Sequence, residues 1–524
     1  MIAATVTSQI AGAGLIIAYL LVVGMIGVYG RHRYWLVLLY CRHRRRRPRP
    51  LARYADLPRV TVQLPMFNER HVAERIIDAA CSLDYPRDRL QVQVLDDSTD
   101  ASAGIAERRV RHWQGRGVDV IYLHRAQRAG FKAGALDAGL QHATGELIAI
   151  FDADFVPGAD FLRHCVHHFT DPDVGMVQAR WSHLNRDDSL LTRCQAVFLD
   201  GHFLVEHAAR NWSGRWMNFN GTAGVWRRSA IESAGGWQHD TLTEDVDLSY
   251  RAQLAGWRFV FRSDVTCPAE LPPHISAFKT QQHRWTKGSI QTARKLLPRL
   301  LRSDAPWRVK VEAFFHLTSP MVYLCVTLLA VMFYPTFTTR AQPCDDGTWA
   351  ALMWGMTLFA LGTASAGAYY TVSQRVQRRG LWGTLAYLPA LMAVGVGIAV
   401  NNARACIEAL IGHESPFVRT PKYSTATRAS EDSAPRRRIR SARAWMPLLE
   451  IALGAYMLAC AVMSLEHPRT IASIPFLLIF AAGYLYIGIG GALEARATPG
   501  DPHMDATSRA PTELALSAGP HGRA

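Results

Sequence analysis

Residues 11–30, AGAGLIIAYLLVVGMIGVYG, carry no charge and are long enough as a helix to span a bilayer core. Apolar blocks return at about 311–336, 349–371, 382–402, 444–464 and 471–492. Between the first block and the rest lies a stretch, 58–300, with the composition of a water-soluble domain. This layout restricts the chain to one kind of architecture: a soluble domain inserted between membrane helices.

The block at 11–30 has no basic region before it and no A-x-A-like site after it, so it reads as an anchor and not as a cleaved signal peptide. The basic run RHRRRRPR at 42–49 places the adjoining soluble stretch in the cytoplasm by the positive-inside rule. The expected organisation is an anchor at 1–41, a basic linker at 42–57, a cytoplasmic domain at 58–300, membrane segments at 301–402, a polar loop at 403–443, a membrane hairpin at 444–494 and a disordered tail at 495–524. A second basic run, RRRIR at 436–440, and the basic stretch 372–380 both ask to be cytoplasmic, with one apolar block between them. Either 382–402 is re-entrant or 349–371 is not a full span.

The 58 basic residues outnumber the 43 acidic ones, and the excess clusters beside apolar blocks. That is a topology signal with affinity for anionic lipid heads, so nucleic acid is not an expected partner. Nine scattered cysteines, none in a CxxC spacing, argue against a disulfide framework.

Within 58–300, short β-rich runs (RVTVQLPMF, LQVQVLDD, DVIYLH, ELIAIFDAD) alternate with helical ones (RHVAERIIDAACSL, FKAGALDAGLQHA, GADFLRHCVHHF). Such alternation predicts a mainly parallel α/β sheet, which binds ligands at the C-terminal ends of its strands. Three acidic motifs fall at such places. Asp152 and Asp154 follow the apolar run LIAIF, two residues apart, so in extended geometry they share a face and suit a hard divalent cation such as Mg²⁺ or Mn²⁺. Asp96 and Asp97 end another strand, where an Asx-turn and a nucleotide contact are both open. Glu244, Asp245 and Asp247 open a helix; Thr241 and Glu244 match a capping box, which leaves Asp245 unexplained. The helix dipole depresses a first-turn carboxylate, so Asp245 needs desolvation to act as a base. Lys132 follows a glycine and opens a helix, where a cation can meet a phosphate.

In chain order, DDSTD, FKAGAL, FDADF, FNGTAGVWRR, TEDVDL and QQHRW form a set that resembles the processive inverting family 2 glycosyltransferases. The likeness is to cellulose synthases and, more closely, to plant cellulose-synthase-like mannan and glucan synthases of the A and C type. It implies a GT-A type glycosyltransferase domain that uses UDP-glucose or GDP-mannose to extend a β-linked polysaccharide, coupled to its export. The resemblance implies that Asp96, Asp97, Lys132 and Asp152 hold the nucleotide sugar, and that Asp152 and Asp154 hold the metal. It further implies that Asp245, beside Glu244, is the general base. Phe219, Asn220, Gly221 and Thr222 would line the acceptor end. Gln282, Arg284 and Trp285, with Gln281 alongside, would form a platform for acceptor and diphosphate. Phe417, Thr420 and Lys422 resemble a gating loop, with Arg419 where valine is expected. The alternative product is a glycolipid made on diacylglycerol or ceramide. The basic composition and short loops point to a bacterial inner membrane, with an envelope export partner possible.

Overall fold

A computed structural model describes residues 2–338, 346–414, 445–466 and 470–496. Seven strands form one sheet: β1 (Val60–Met66), β2 (Leu90–Asp96), β3 (Val120–His124), β4 (Leu147–Ile150), β5 (Val174–His183), β6 (Gly224–Arg227) and β7 (Arg258–Ala269). Their order is β3-β2-β1-β4-β6-β5-β7, and every pairing is parallel except those of β6 with β4 and β5. β1, β2 and β4 are buried along nearly their whole length. Only β4, LIAI, reads as a continuous apolar run; β1 and β2 alternate apolar residues with Thr61, Gln63, Gln91 and Gln93, which are buried too and hydrogen-bond one another across the two strands.

The topology fixes the site. Six strands deliver their C-terminal ends to one edge of the sheet, and antiparallel β6 delivers the segment that precedes it. The motifs DDSTD, FDADF and FNGT therefore meet although they lie far apart in sequence. β5 and β6 are represented in the sequence only by the motif phrases VQARW and FNGTAGVWR, and the long β7 by none.

Five helical stretches among the described residues are long and apolar enough to cross a membrane: Gly12–His43, Ala350–Val376, Leu381–Leu410, Trp445–Met463 and Ile471–Arg496. A sixth candidate is the pair Trp307–Thr318 and Met321–Thr336, bent by 52°. The expected block 311–336 is this bent pair. The expected loop from 403 starts later, because Ala399–Leu410 is helical. That short helix buries Asn401, Asn402 and Glu408, which gave it a polar look in sequence. Its preceding segment packs closely through Gly397 against the backbone of Gly483, which leaves no room for a side chain. The expected tail lies outside the described residues from 497 onward, and the basic run 436–440 lies outside them entirely. The eight described cysteines are all unpaired.

The helix Ile275–Arg302 joins the two halves. One stripe of it faces the apolar helices. Glu494 accepts hydrogen bonds from the backbone N–H groups of Ile275 and Ser276, at 2.8 and 2.9 Å, and so caps the helix N-terminus from a distant element. One helical turn on, the Lys279 ammonium donates to both oxygens of Glu450, at 2.6 and 2.8 Å. Further along, Glu408 lies 3.1 Å from His283 and 3.2 Å from Lys287. The four-residue spacing of 275, 279, 283 and 287 puts these contacts on one face.

Candidate active site

The opposite face of this helix roofs a cleft over the sheet edge. Along the cleft lie Met66, Phe67, Asp97 and Arg128 at one end, and Lys132, Asp152, Asp154, Gly221, Glu244 and Asp245 in the middle. Trp181, His183, Gln281, Arg284 and Trp285 line the other end.

Asp152 and Asp154 follow β4 in a turn, since the strand ends at Ile150, and both still open into the cleft. The backbone N–H of Asp152 donates to the Thr222 hydroxyl at 2.9 Å, which fixes the turn against the segment before β6. Lys132 Nζ sits 2.6 Å from Asp152 Oδ1, 4.0 Å from Glu244 Oε1, and donates to the Gly221 carbonyl at 2.8 Å. Burial works to lower the Lys132 pKa, but the charges of Asp152, Glu244 and Asp245 outweigh it and hold the ammonium protonated.

Asp245 sits in the first turn of the helix Glu244–Leu254. Its pKa is pushed up to about 7, chiefly by desolvation in the cleft and then by the Glu244 charge, against the opposing pull of Lys132. Desolvation thus overcomes the helix dipole, the condition that a base at this position requires. The capping-box expectation fails: the helix N-cap is Thr243 and makes no side-chain cap bond. Thr243 Oγ1 lies 3.4 Å from Thr292 Oγ1, and Glu244 turns toward Lys132. Asp247 is fully buried and accepts from Arg251 Nε at 2.7 Å, which is a structural role.

Gly221 sits against the two charged groups at the middle of the site. Its φ is +81°, and a Cβ there would lie 3.1 Å from Asp245 Oδ2 and 3.3 Å from Lys132 Nζ. Gly221→Ala will therefore cost about 1–3 kcal/mol in backbone strain and will also crowd the two charged groups. A loss of activity larger than the loss of thermal stability, followed on the same membrane preparation, is the expected outcome.

The other expected residues divide. Asp97 lines the cleft, and Arg125 grips it with two bonds of 2.8 and 2.6 Å. Asp96 does not reach the cleft lining; it accepts from the Ser98 N–H and the Tyr122 hydroxyl, the Asx-turn reading. Asn220 and Gly221 line the cleft, whereas Phe219 is buried edge-on against Trp226 and Thr222 acts behind Asp152. Gln281, Arg284 and Trp285 line the cleft together, and Gln282 does not. Helical spacing explains this: positions i, i+3 and i+4 share a face, and i+1 turns away. Of the two glutamines, Gln281 is the one that faces the cleft. Phe417, Thr420 and Lys422 lie outside the described residues. Sequence reading gave no role to Arg128, whose guanidinium lies 3.6 Å from the Phe67 ring centre, nor to Trp181, 6.5 Å from Trp285 between ring centres. Both stand inside recognisable sequence phrases, RAGFKAG and VQARW.

A mixed sheet of this order, with an acidic cleft at its strand ends, defines a GT-A type glycosyltransferase fold. Residues 58–288 match the family described as "Glycosyltransferase like family 2". Among curated proteins, the chain is 38% identical over 350 residues to "Probable glucomannan 4-beta-mannosyltransferase 10" of Arabidopsis thaliana, covering 61% of this chain and 63% of that one. It is 47% identical over 251 residues to "Probable glucomannan 4-beta-mannosyltransferase 11" of Oryza sativa subsp. japonica, covering 47% of this chain and 44% of that one. The chain thus spans between about half and two thirds of the length of these relatives. A mannosyltransferase from Pyrobaculum calidifontis, solved with GDP-Man and Mn²⁺, matches 76% of this chain and 100% of that chain, with TM-score 0.50 and 23% identity. That likeness shows the fold. The curated relatives are plant proteins, and they lend no support to a bacterial inner-membrane placement.

Proposed function

We propose that this protein is a membrane-embedded inverting β-mannosyltransferase that takes mannose from GDP-mannose and extends a β-linked glycan. The observation that carries the reading is Asp245: a carboxylate whose pKa is pushed up to about 7 by burial and by Glu244, with Lys132 opposing, in a cleft roofed by Arg284 and Trp285. The β-mannosyl choice between the two donors rests on the names of the relatives.

In the proposed reaction Asp245 accepts the proton of the acceptor hydroxyl. The hydroxyl attacks the anomeric carbon on the face opposite the nucleotide, and an α-linked donor gives a β-glycoside. A base near neutrality combines the correct protonation state with adequate driving force. Lys132 and Arg284 place cationic donors where the leaving diphosphate gathers charge. Trp285 offers a flat apolar face to a sugar ring. Asp97, held by Arg125, and Arg128 with Phe67 form the end of the cleft suited to the nucleotide.

Asp152 and Asp154 suit a hard divalent ion. No group of three or more His, Cys, Asp or Glu among the described residues could hold a metal alone, so the remaining ligands would be diphosphate oxygens. Such an ion, when bound, supplies charge neutralisation at the leaving group. Lys132 supplies part of that charge at Asp152 already.

The test is transfer from radiolabelled GDP-mannose and UDP-glucose in membranes carrying the protein, with and without Mn²⁺. Polymer that resists lipid extraction supports the reading and its label names the donor. Label confined to an organic-extractable lipid overturns it in favour of a glycolipid product. Trp285→Ala is expected to raise the acceptor KM about tenfold or more and to leave the donor KM nearly unchanged, since it removes a stacking face and no diphosphate contact.

A further inference from the structure

Beside the catalytic cleft lies a partly buried polar network that the reaction as written does not use. Asn220, which lines the cleft next to Gly221, has its carboxamide held from two sides. His207 Nε2 lies 2.6 Å from Asn220 Oδ1, and Asn220 Nδ2 lies 2.9 Å from His202 Nε2. His202 Nδ1 lies 2.9 Å from Glu206 Oε2. Arg210 continues the chain, 3.5 Å from Glu206 and donating to Glu312 at 2.9 Å; Glu312 in turn lies 3.1 Å from His32 on the first apolar helix.

The proton inventory allows one arrangement with both histidines neutral. Glu206 can only accept, so His202 carries its proton on Nδ1 and presents a lone pair on Nε2. That lone pair accepts from the Asn220 amide, whose oxygen must then accept from His207 Nε2–H. Rotating the carboxamide by half a turn would set oxygen against a lone pair and N–H against N–H. With both imidazoles neutral Asn220 is held in this one orientation, and these two contacts leave one amide hydrogen and one oxygen lone pair for the cleft.

The backbone makes this double grip possible. In an α-helix, residues five apart point about 140° away from each other. His202–His207 is a π-helical turn, which stacks positions five apart. The two imidazoles lie 4.3 Å apart between ring centres and close on one side chain. Such turns concentrate at functional sites.

We propose that His202 and His207 are positioning residues that fix the Asn220 carboxamide as a binding group for a hydroxyl of the attacking sugar. The inference rests on the proposed transferase reading. Asn220 adjoins Gly221, where a side chain would run into the Asp245 carboxylate, so a sugar presenting its hydroxyl to Asp245 lies beside Asn220. The link from Glu206 through Arg210 and Glu312 ties this orientation to the helices that flank the domain.

The test uses the full chain in nanodiscs, with GDP-mannose as donor and mannohexaose as acceptor. His202→Leu and Asn220→Ala should each raise the acceptor KM about tenfold and leave the donor KM within about twofold, the scale of one lost directional hydrogen bond. The double variant should be no worse than Asn220→Ala, because His202 acts only through Asn220. His202→Gln should recover most of the loss, since its amide can donate to Glu206 and accept from Asn220. Additive losses in the double variant, equal effects on both KM values, or failure of His202→Gln to recover would overturn the inference. If the wild type transfers neither mannose nor glucose, it is the transferase reading that fails. The inference is then read by tryptophan-fluorescence titration with mannohexaose. About fivefold weaker binding in His202→Leu and not in His202→Gln, again the scale of one hydrogen bond, sustains it, and equal binding overturns it.

Discussion

Asp245→Asn will lower turnover by about 10²–10⁴-fold, the usual worth of general-base help. The substitution keeps the shape of the side chain, and Asp152 and Glu244 remain to hold Lys132 in place, so donor KM should change little. The pH profile is the more searching measurement. A carboxylate with its pKa pushed up to about 7 is protonated below that pH and cannot accept a proton. Wild-type activity should therefore rise as pH increases through about 7 and level off above about 8. In Asp245→Asn the residual rate should lose this acidic limb. A variant that keeps the limb would assign it to another group, and a variant with wild-type turnover would remove Asp245 from the reaction. Glu244→Gln offers a graded check, because its charge is the second cause of the raised value. The limb should move to lower pH, since one like charge no longer opposes ionisation of Asp245.

The charged residues at the centre of the cleft could be read in the sequence because their placement is local. A carboxylate just past an apolar strand, or in the first turn of a helix, is where chain geometry alone brings it to the sheet edge. Asp152, Asp154, Asp97, Lys132, Glu244 and Asp245 all meet in the cleft for that reason. What escaped was set by tertiary contact or by fine register. Gln281 and Gln282 are adjacent, and only the helix phase decides which one faces the cleft. Phe219 and Thr222 flank the two residues that reach the cleft; burial against Trp226 takes one, and the Asp152 N–H takes the other. Thr241 and Glu244 have capping-box spacing, but the pull of Lys132 on Glu244 and the docking of Thr243 on Thr292 prevail over the local preference. The histidines under Asn220 carried no signal at all, because a π-turn cannot be seen in hydrophobic periodicity. The long apolar helices fall close to the blocks that hydropathy marks, and the third runs on to Leu410, through a stretch where Asn401, Asn402 and Glu408 are buried against protein.

Glu450→Gln will give the largest loss of stability. Glu450 is fully buried and meets Lys279 with two short contacts, so the substitution leaves an ammonium without its counter-charge. Removing one partner of a buried pair costs about 3–5 kcal/mol, most of it the penalty of the charge left behind. Thermal inactivation in nanodiscs should show the drop, and Lys279→Met should show a similar one. The double variant Lys279→Met/Glu450→Leu should recover most of the stability, because apolar groups of similar volume often replace an ion pair at little cost. Recovery of stability need not bring recovery of function. The same helix carries Lys279 on the stripe that packs against the apolar helices and Gln281, Arg284 and Trp285 on the face that lines the cleft with Asp245. If the ion pair sets the rotation of that helix, the stable double variant will still show a raised acceptor KM. If the double variant is both stable and fully active, the capping contact from Glu494 and the Glu408 contacts hold the roof of the cleft without it.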